Sequence, residues 1–116
     1  MKKKTKSLII TIVILAAIAV IAVLALTKHP APSTDAETAK CIGSKSLLYV
    51  QLGCSHCKDQ EDMFGENVKY LKMIDCFYER QACIDANITG TPTWTINGEK
   101  YLGVQSIDKL KELTGC

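Results

Sequence analysis

The chain has 116 residues, 47% of them hydrophobic, with six cysteines and a formal net charge of +2. That length allows one small domain rather than several. From Lys40 onward nine basic side chains meet ten acidic ones, so this part is near neutral and nucleic acid is not an expected partner.

The first element is the run 8–26, LIITIVILAAIAVIAVLAL, which carries no charge and one polar break, Thr11. As a helix it spans roughly 28 Å, close to the hydrocarbon thickness of a bilayer. Lys2, Lys3, Lys4 and Lys6 precede it and only Lys28 follows closely. The positive-inside rule makes 1–7 a cytoplasmic tail and puts everything after Thr27 outside. A cleaved signal peptide would have an apolar core of about 7–15 residues and a small-x-small site behind it. This run is longer, and Thr27-Lys28-His29-Pro30 is a poor cleavage site. The expectation is an uncleaved signal anchor: one transmembrane helix in the cell membrane, with an extracytoplasmic domain. Residues 27–40, with KHPAPSTDAETAK, read as a linker. As a loose coil it spans on the order of 20 Å and holds domain 41–116 near the membrane surface.

Within that domain, SLLYVQL (46–52) is an apolar run of strand length. CSHCKDQEDMFG follows as a helix, with Met63 and Phe64 on an apolar face and Gly65 as a stop. VKYLKMIDC (68–76) alternates and reads as a second strand, and 79–87 as a short helix. TPTWTIN and KYLGVQ are strands around a turn at Asn97-Gly98, a strong hairpin signal. Residues 106–113 form a last helix, with Ser106 as N-cap and Gly115 as stop. The fold class is α/β, in the order β-α-β-α-β-β-α.

All six cysteines, 41, 54, 57, 76, 83 and 116, fall on the expected outer side. An even count in a small extracytoplasmic domain argues for disulfides. Cys76 and Cys83 bracket a short turn, CFYERQAC, and are the favoured pair. Cys41 and Cys116 would then close the domain end to end. Chain entropy gives the short loop about 2.5 kcal/mol and the long one about 4.5 kcal/mol, useful to a domain this small. The alternative for Cys76 and Cys83 is a second redox pair that relays electrons from Cys54 and Cys57. Zinc knuckles come as two close pairs; here the second pair is separated by six intervening residues and His29 lies in the linker, so no metal is expected.

A C-x-x-C where a strand gives way to a helix, near a β-α-β pattern, reads as a thioredoxin-like redox motif. With GTPTW following GCSHCKDQ, the chain resembles the thioredoxin superfamily. CSHCKDQEDMFG, IDC, PTWTINGEKYLGVQS and the terminal LKELTG are most similar to the thioredoxin-like domain associated with bacterial and archaeal vitamin K epoxide reductase homologues. The resemblance implies a minimal thioredoxin-like fold, with a mixed four-stranded sheet and flanking helices. It implies that Thr91, before a cis Pro92, faces the cysteine pair and binds substrate. It also implies a partner, a quinone-linked membrane oxidase resembling vitamin K epoxide reductase. Gly53 stands where thioredoxin often carries an aromatic residue, and Leu48 near the place of its buried acid. The extra N-terminal strand and helix of thioredoxin are expected to be absent.

Thiol–disulfide exchange needs a thiolate attacking a sulfur in line. An unperturbed thiol is only about 3% ionised at pH 7. Cys54 at a helix N-terminus gains from the dipole and free N–H groups, which makes it the candidate nucleophile. Cys57, one turn in, resolves the mixed disulfide. Ser55 and His56 tune the pair; His56 adds positive potential and favours oxidation. Trp94 is assigned to the core or a groove wall. Asn87-Ile88-Thr89 matches the glycosylation triplet, read as coincidence beside the active loop. The expected activity is a protein thiol–disulfide oxidoreductase that passes a disulfide to secreted proteins, with no cofactor. A reductase or isomerase of the cytochrome c maturation type is the alternative, and a disulfide- or zinc-stapled binding module is the non-enzymatic one.

Overall fold

The structure, a computed structural model, describes residues 2–26 and 34–116. The chain divides into two units, Met1–Pro32 and Ser33–Cys116. The part of the expected linker at 27–33, with His29, lies outside the described residues.

In the first unit α1 runs Lys2–Leu26. The helix takes in the lysine tail as well as the apolar run, because lysine is a good helix former and no breaker intervenes. Its large apolar side chains cover the whole circumference and none is buried. A helix apolar all round is stable in apolar surroundings, and its length makes it a candidate membrane span. Thr11 donates its hydroxyl to the Ser7 carbonyl at 2.9 Å, which satisfies a group that hydrocarbon could not.

The second unit begins earlier than composition suggested. The linker assignment of 34–40 is corrected: Thr34 is buried and α2, Ala36–Lys45, follows. Asp35 caps it, accepting from the Thr38 N–H at 3.0 Å. A hydrogen bond from the Thr38 side chain and, after it, this backbone bond hold the Asp35 pKa below the ordinary carboxylate value. The cap therefore contributes above the ordinary carboxylate pKa and fades as pH falls through the lowered one. Ala39, Ile42 and Gly43, at i, i+3 and i+4, form the buried face. The expectation that no helix precedes the first strand is thus overturned. A polar, Thr- and Lys-bearing stretch hid a one-sided apolar stripe.

Strand β1, Ser46–Val50, leads into α3, Ser55–Asp62. A 3₁₀ helix, Gly65–Tyr70, and a short β2, Met73–Asp75, follow. The expected strand over 68–76 is thus cut to three residues. Its apolar spacing serves the 3₁₀ turn instead: Val68 and Leu71 eclipse at i and i+3 and both pack on the core. Helix α4 is Arg80–Asp85, β3 Thr93–Ile96, β4 Glu99–Leu102 and α5 Ile107–Thr114. Asn97 and Gly98 turn the hairpin with φ of 51° and 80°, the left-handed pair such a turn requires. Ser106 caps α5 through Lys109 N at 3.1 Å.

The sheet order is β2-β1-β3-β4. β1 pairs parallel to β2, with Leu48 opposite Met73, and antiparallel to β3, with Leu48 opposite Trp94. β3 pairs antiparallel to β4. This is a mixed four-stranded α/β fold of thioredoxin-like topology. Leu48, Phe64, Trp94, Ile96 and Leu110 form the core with the buried face of α2. The Cys41–Cys116 disulfide, 6.0 Å between Cα atoms, joins α2 to the end of α5.

At Gly43 the 3₁₀ helix crosses α2 so closely that a Cβ would overlap the Tyr70 carbonyl. Both partners are backbone, so Gly43→Ala must push two helices apart. We expect a loss of about 2 kcal/mol or more, read as a lowered melting temperature by circular dichroism.

Candidate active site

The site lies at the carboxyl ends of the parallel strands β1 and β2. Gly53, with φ of +83°, turns the chain from β1 into α3. An L side chain at 53 would be strained, which accounts for glycine where thioredoxin often has an aromatic residue. Cys54 is the N-cap of α3: its N–H donates to the Gln51 carbonyl at 3.0 Å, and its Sγ accepts from Cys57 N at 3.1 Å. Cys54 and Cys57 form a disulfide, 5.2 Å between Cα atoms. Cys54 is part-exposed while Cys57 is 3% exposed. When the pair is reduced, a Cys54 thiolate meets the helix N-terminus and the Cys57 N–H, both of which stabilise the anion.

Thr91, remote in sequence, is brought against this sulfur. Its Oγ1 donates to Cys54 Sγ at 3.5 Å, and its carbonyl oxygen lies 3.6 Å from the same atom. The Thr91-Pro92 peptide is cis. Pro92 is fully buried and its carbonyl accepts from Gly103 N at 2.8 Å, which ties the loop to the end of β4.

Two different surfaces flank the disulfide. On one side His56, Thr91, Pro92, Leu102 and Val104 line a shallow apolar groove. On the other, Lys58, Glu61 and Asp75 line a charged cleft with Cys54 and Cys57. Lys58 pairs with Asp62, whose carboxylate raises the lysine pKa, so Lys58 stays cationic. Ser55 is exposed, and His56, its side chain 76% exposed, lies 3.7 Å from Asp59. Cys76 and Cys83 form a third disulfide over the turn before α4, 5.7 Å between Cα atoms. Leu48 is fully buried, so that position supplies no acid to the pair.

Sequence reasoning did not single out Gln60, which is fully buried on α3 one turn beyond Cys57. Its Oε1 accepts from Trp94 Nε1 at 2.9 Å and from Gln105 N at 2.7 Å. Its Nε2 donates to the Gln105 carbonyl at 3.1 Å. A glutamine in the polar string KDQED carries no periodic sign of burial. Trp94 is likewise fully buried, tilted against Phe64 at 6.1 Å between ring centroids.

The fold and this site place a C-x-x-C disulfide at a helix N-terminus opposite a cis-proline loop, an arrangement similar to that of thioredoxin-like domains. Over 101 residues the chain is 38% identical to the thiol-disulfide oxidoreductase LTO1 of Arabidopsis thaliana. The match takes in 79% of this chain and 24% of that protein, so the chain spans about a quarter of its curated relative. No family model matches. Among solved structures, the oxidised thioredoxin of Plasmodium falciparum aligns at a TM-score of 0.47 and 21% identity, over 71% of this chain and 90% of its own. The NTD_N/C domain of the alkylhydroperoxide reductase AhpF from Enterococcus faecalis aligns at a TM-score of 0.47 and 18% identity, over 72% and 45%.

Replacing Gln60 by Leu leaves the Trp94 N–H and both backbone groups of Gln105 without their buried partner. The expected cost is about 3 kcal/mol, with a changed Trp94 emission spectrum, Trp94 being the chain's one tryptophan. Chemical denaturation followed by fluorescence checks both.

Proposed function

We propose that this chain is a membrane-anchored, extracytoplasmic thiol–disulfide oxidoreductase that donates the Cys54–Cys57 disulfide to secreted protein thiols. The observation that carries the reading is Cys54 at the α3 N-cap, its sulfur beside the Thr91 backbone and its partner Cys57 buried. A substrate thiolate attacks Cys54 Sγ in line, and Cys57 leaves as the thiolate and takes up a proton. A second substrate thiolate then attacks the substrate sulfur of the mixed disulfide and releases Cys54. Two electrons pass to the chain, one of the two substrate protons ends on Cys57 and the other goes to solvent while Cys54 stays a thiolate, and the substrate keeps the new disulfide. Thr91 and Pro92 present backbone beside the reacting sulfur for an extended substrate segment. The apolar groove beyond them takes its side chains.

Reoxidation is assigned to a quinone-linked membrane oxidase resembling vitamin K epoxide reductase. Support comes from the C-x-x-C and hairpin motifs and from α1, which would confine the domain to the membrane and raise its effective concentration there. The lysine cluster in the first turns of α1, ahead of its apolar run, and the absence of cysteine from it favour a cytoplasmic N-terminus.

The test is the equilibrium reduction potential of Cys54–Cys57 in glutathione buffers, with mass mapping of the reacting cysteines. A potential near about −120 mV confined to this pair is expected. One near about −270 mV assigns the reductase direction instead, and a pair that resists reduction refutes an enzyme. His56→Ala is expected to lower the potential, with the change held small by exposure and by the Asp59 carboxylate beside the ring. An unchanged potential removes His56 from the tuning role.

A further inference from the structure

The charged cleft beside the cysteines contains one carboxylate with a geometry of its own. Asp75 ends β2, and a single oxygen, Oδ1, accepts from two backbone N–H groups on different segments: Leu52 at 3.2 Å and Phe77 at 2.8 Å. Leu52 belongs to the approach that carries Gly53 and Cys54. Phe77 belongs to the turn closed by Cys76–Cys83. The same junction is held by Cys76 N to the Val50 carbonyl at 2.8 Å and by Glu79 N to the Asp75 carbonyl at 2.8 Å. The Asp75 side chain is thus one link between the two disulfides, beside the Cys76 N–Val50 backbone bond.

We propose that Asp75 is a positioning residue for the redox pair, through which the Cys76–Cys83 turn holds Cys54 at its N-cap. The inference rests on the redox reading of Cys54–Cys57 given above. Its logic is local. Cys54 N is held by the Gln51 carbonyl, and the segment between them, residues 52 and 53, is anchored by the Leu52–Asp75 bond. Gly53 adds no side chain that could hold it otherwise. If Asp75 lets go, Cys54 samples positions away from the Cys57 N–H and the α3 N-terminus. Its thiolate is then less stabilised, and the pair becomes a weaker oxidant. Opening Cys76–Cys83 removes the covalent closure of the Phe77 turn, leaves only the Cys76 N–Val50 and Glu79 N–Asp75 backbone bonds to hold it, and weakens the same connection. The second disulfide thus acts on the chemistry without exchanging electrons with the first.

The experiment measures the glutathione equilibrium constant of Cys54–Cys57 in the full chain in detergent. The variants are Asp75→Ala, Asp75→Asn, Cys76→Ser with Cys83→Ser, and that pair combined with Asp75→Ala. Asparagine keeps an oxygen acceptor but drops the charge. Asp75→Ala and the cysteine pair are each expected to shift the constant toward a weaker oxidant by about threefold or more, the scale of one lost hydrogen bond. Combined, they shift it by less than the product, since both break one connection. Asp75→Asn stays nearer to wild type. The Cys54 thiol pKa, read from thiolate absorbance, rises in step in the first two variants. The proposal is overturned if Asp75→Ala leaves the constant within about twofold, if the combined effects multiply, or if Asn and Ala behave alike, which would make charge the cause. If the wild-type pair does not exchange with glutathione at all, the functional reading itself fails.

Discussion

A primary amide in an apolar core must have all of its hydrogen bonds met or it destabilises the fold. Gln60 meets that demand with groups from two other segments, the Trp94 indole on β3 and the backbone of Gln105 after β4. The consequence is geometric. Helix α3 cannot slide or rotate on the sheet without orphaning several buried polar atoms together. The cysteine pair sits on the preceding turn of that helix and inherits its placement. The cis-proline loop is tied to the end of β4 through the Pro92 carbonyl and Gly103, only two residues before Gln105. Both walls of the site therefore refer back to one buried side chain, and among the described residues no buried side-chain nitrogen or oxygen lacks a partner.

The site this scaffold presents is asymmetric in a way that suits a two-step exchange. Cys54 is reachable and sits where a helix terminus stabilises an anion, whereas Cys57 is shielded. An incoming chain therefore meets one sulfur first. The two flanks differ as well. Thr91 and Pro92 line an apolar groove on one side, and Lys58, Glu61 and Asp75 line the cleft on the other.

Size explains the remaining architecture. A unit of this length buries too little surface to be secure on packing alone. Cys41–Cys116 closes a sequence separation of 75 residues and fastens α2 to α5. Helix α2 adds Ala39 and Ile42 to the core and meets the 3₁₀ helix across Gly43, where Lys40 also lies over the Tyr70 ring at 4.7 Å. Residues 34–45, tether-like in composition at their start, are part of what makes the small core sufficient.

Local chemistry was legible in the sequence. The apolar length of α1, the Asn97-Gly98 hairpin, the Ser106 cap and the strand-to-helix position of C-x-x-C each depend on neighbouring residues, and neighbours are what a sequence displays. The spacing around CFYERQAC marked Cys76 and Cys83 as a pair for the same reason, loop length being a local count, whereas Cys41 and Cys116, 75 residues apart, followed only as the remaining two. Other features depend on distant partners. Helix α2 is stabilised by the surface it covers and by an Asp35 cap, so a polar stretch concealed it. Residues 68–71 alternate like a strand but turn as a 3₁₀ helix, because the core needs Val68 and Leu71 on one side. Gln60 and Asp75 look like ordinary polar residues until the fold surrounds them with donors from other segments. Burial, and the hydrogen bonds it demands, are properties of the tertiary structure, so only the tertiary structure decided which polar side chains hold the site in place.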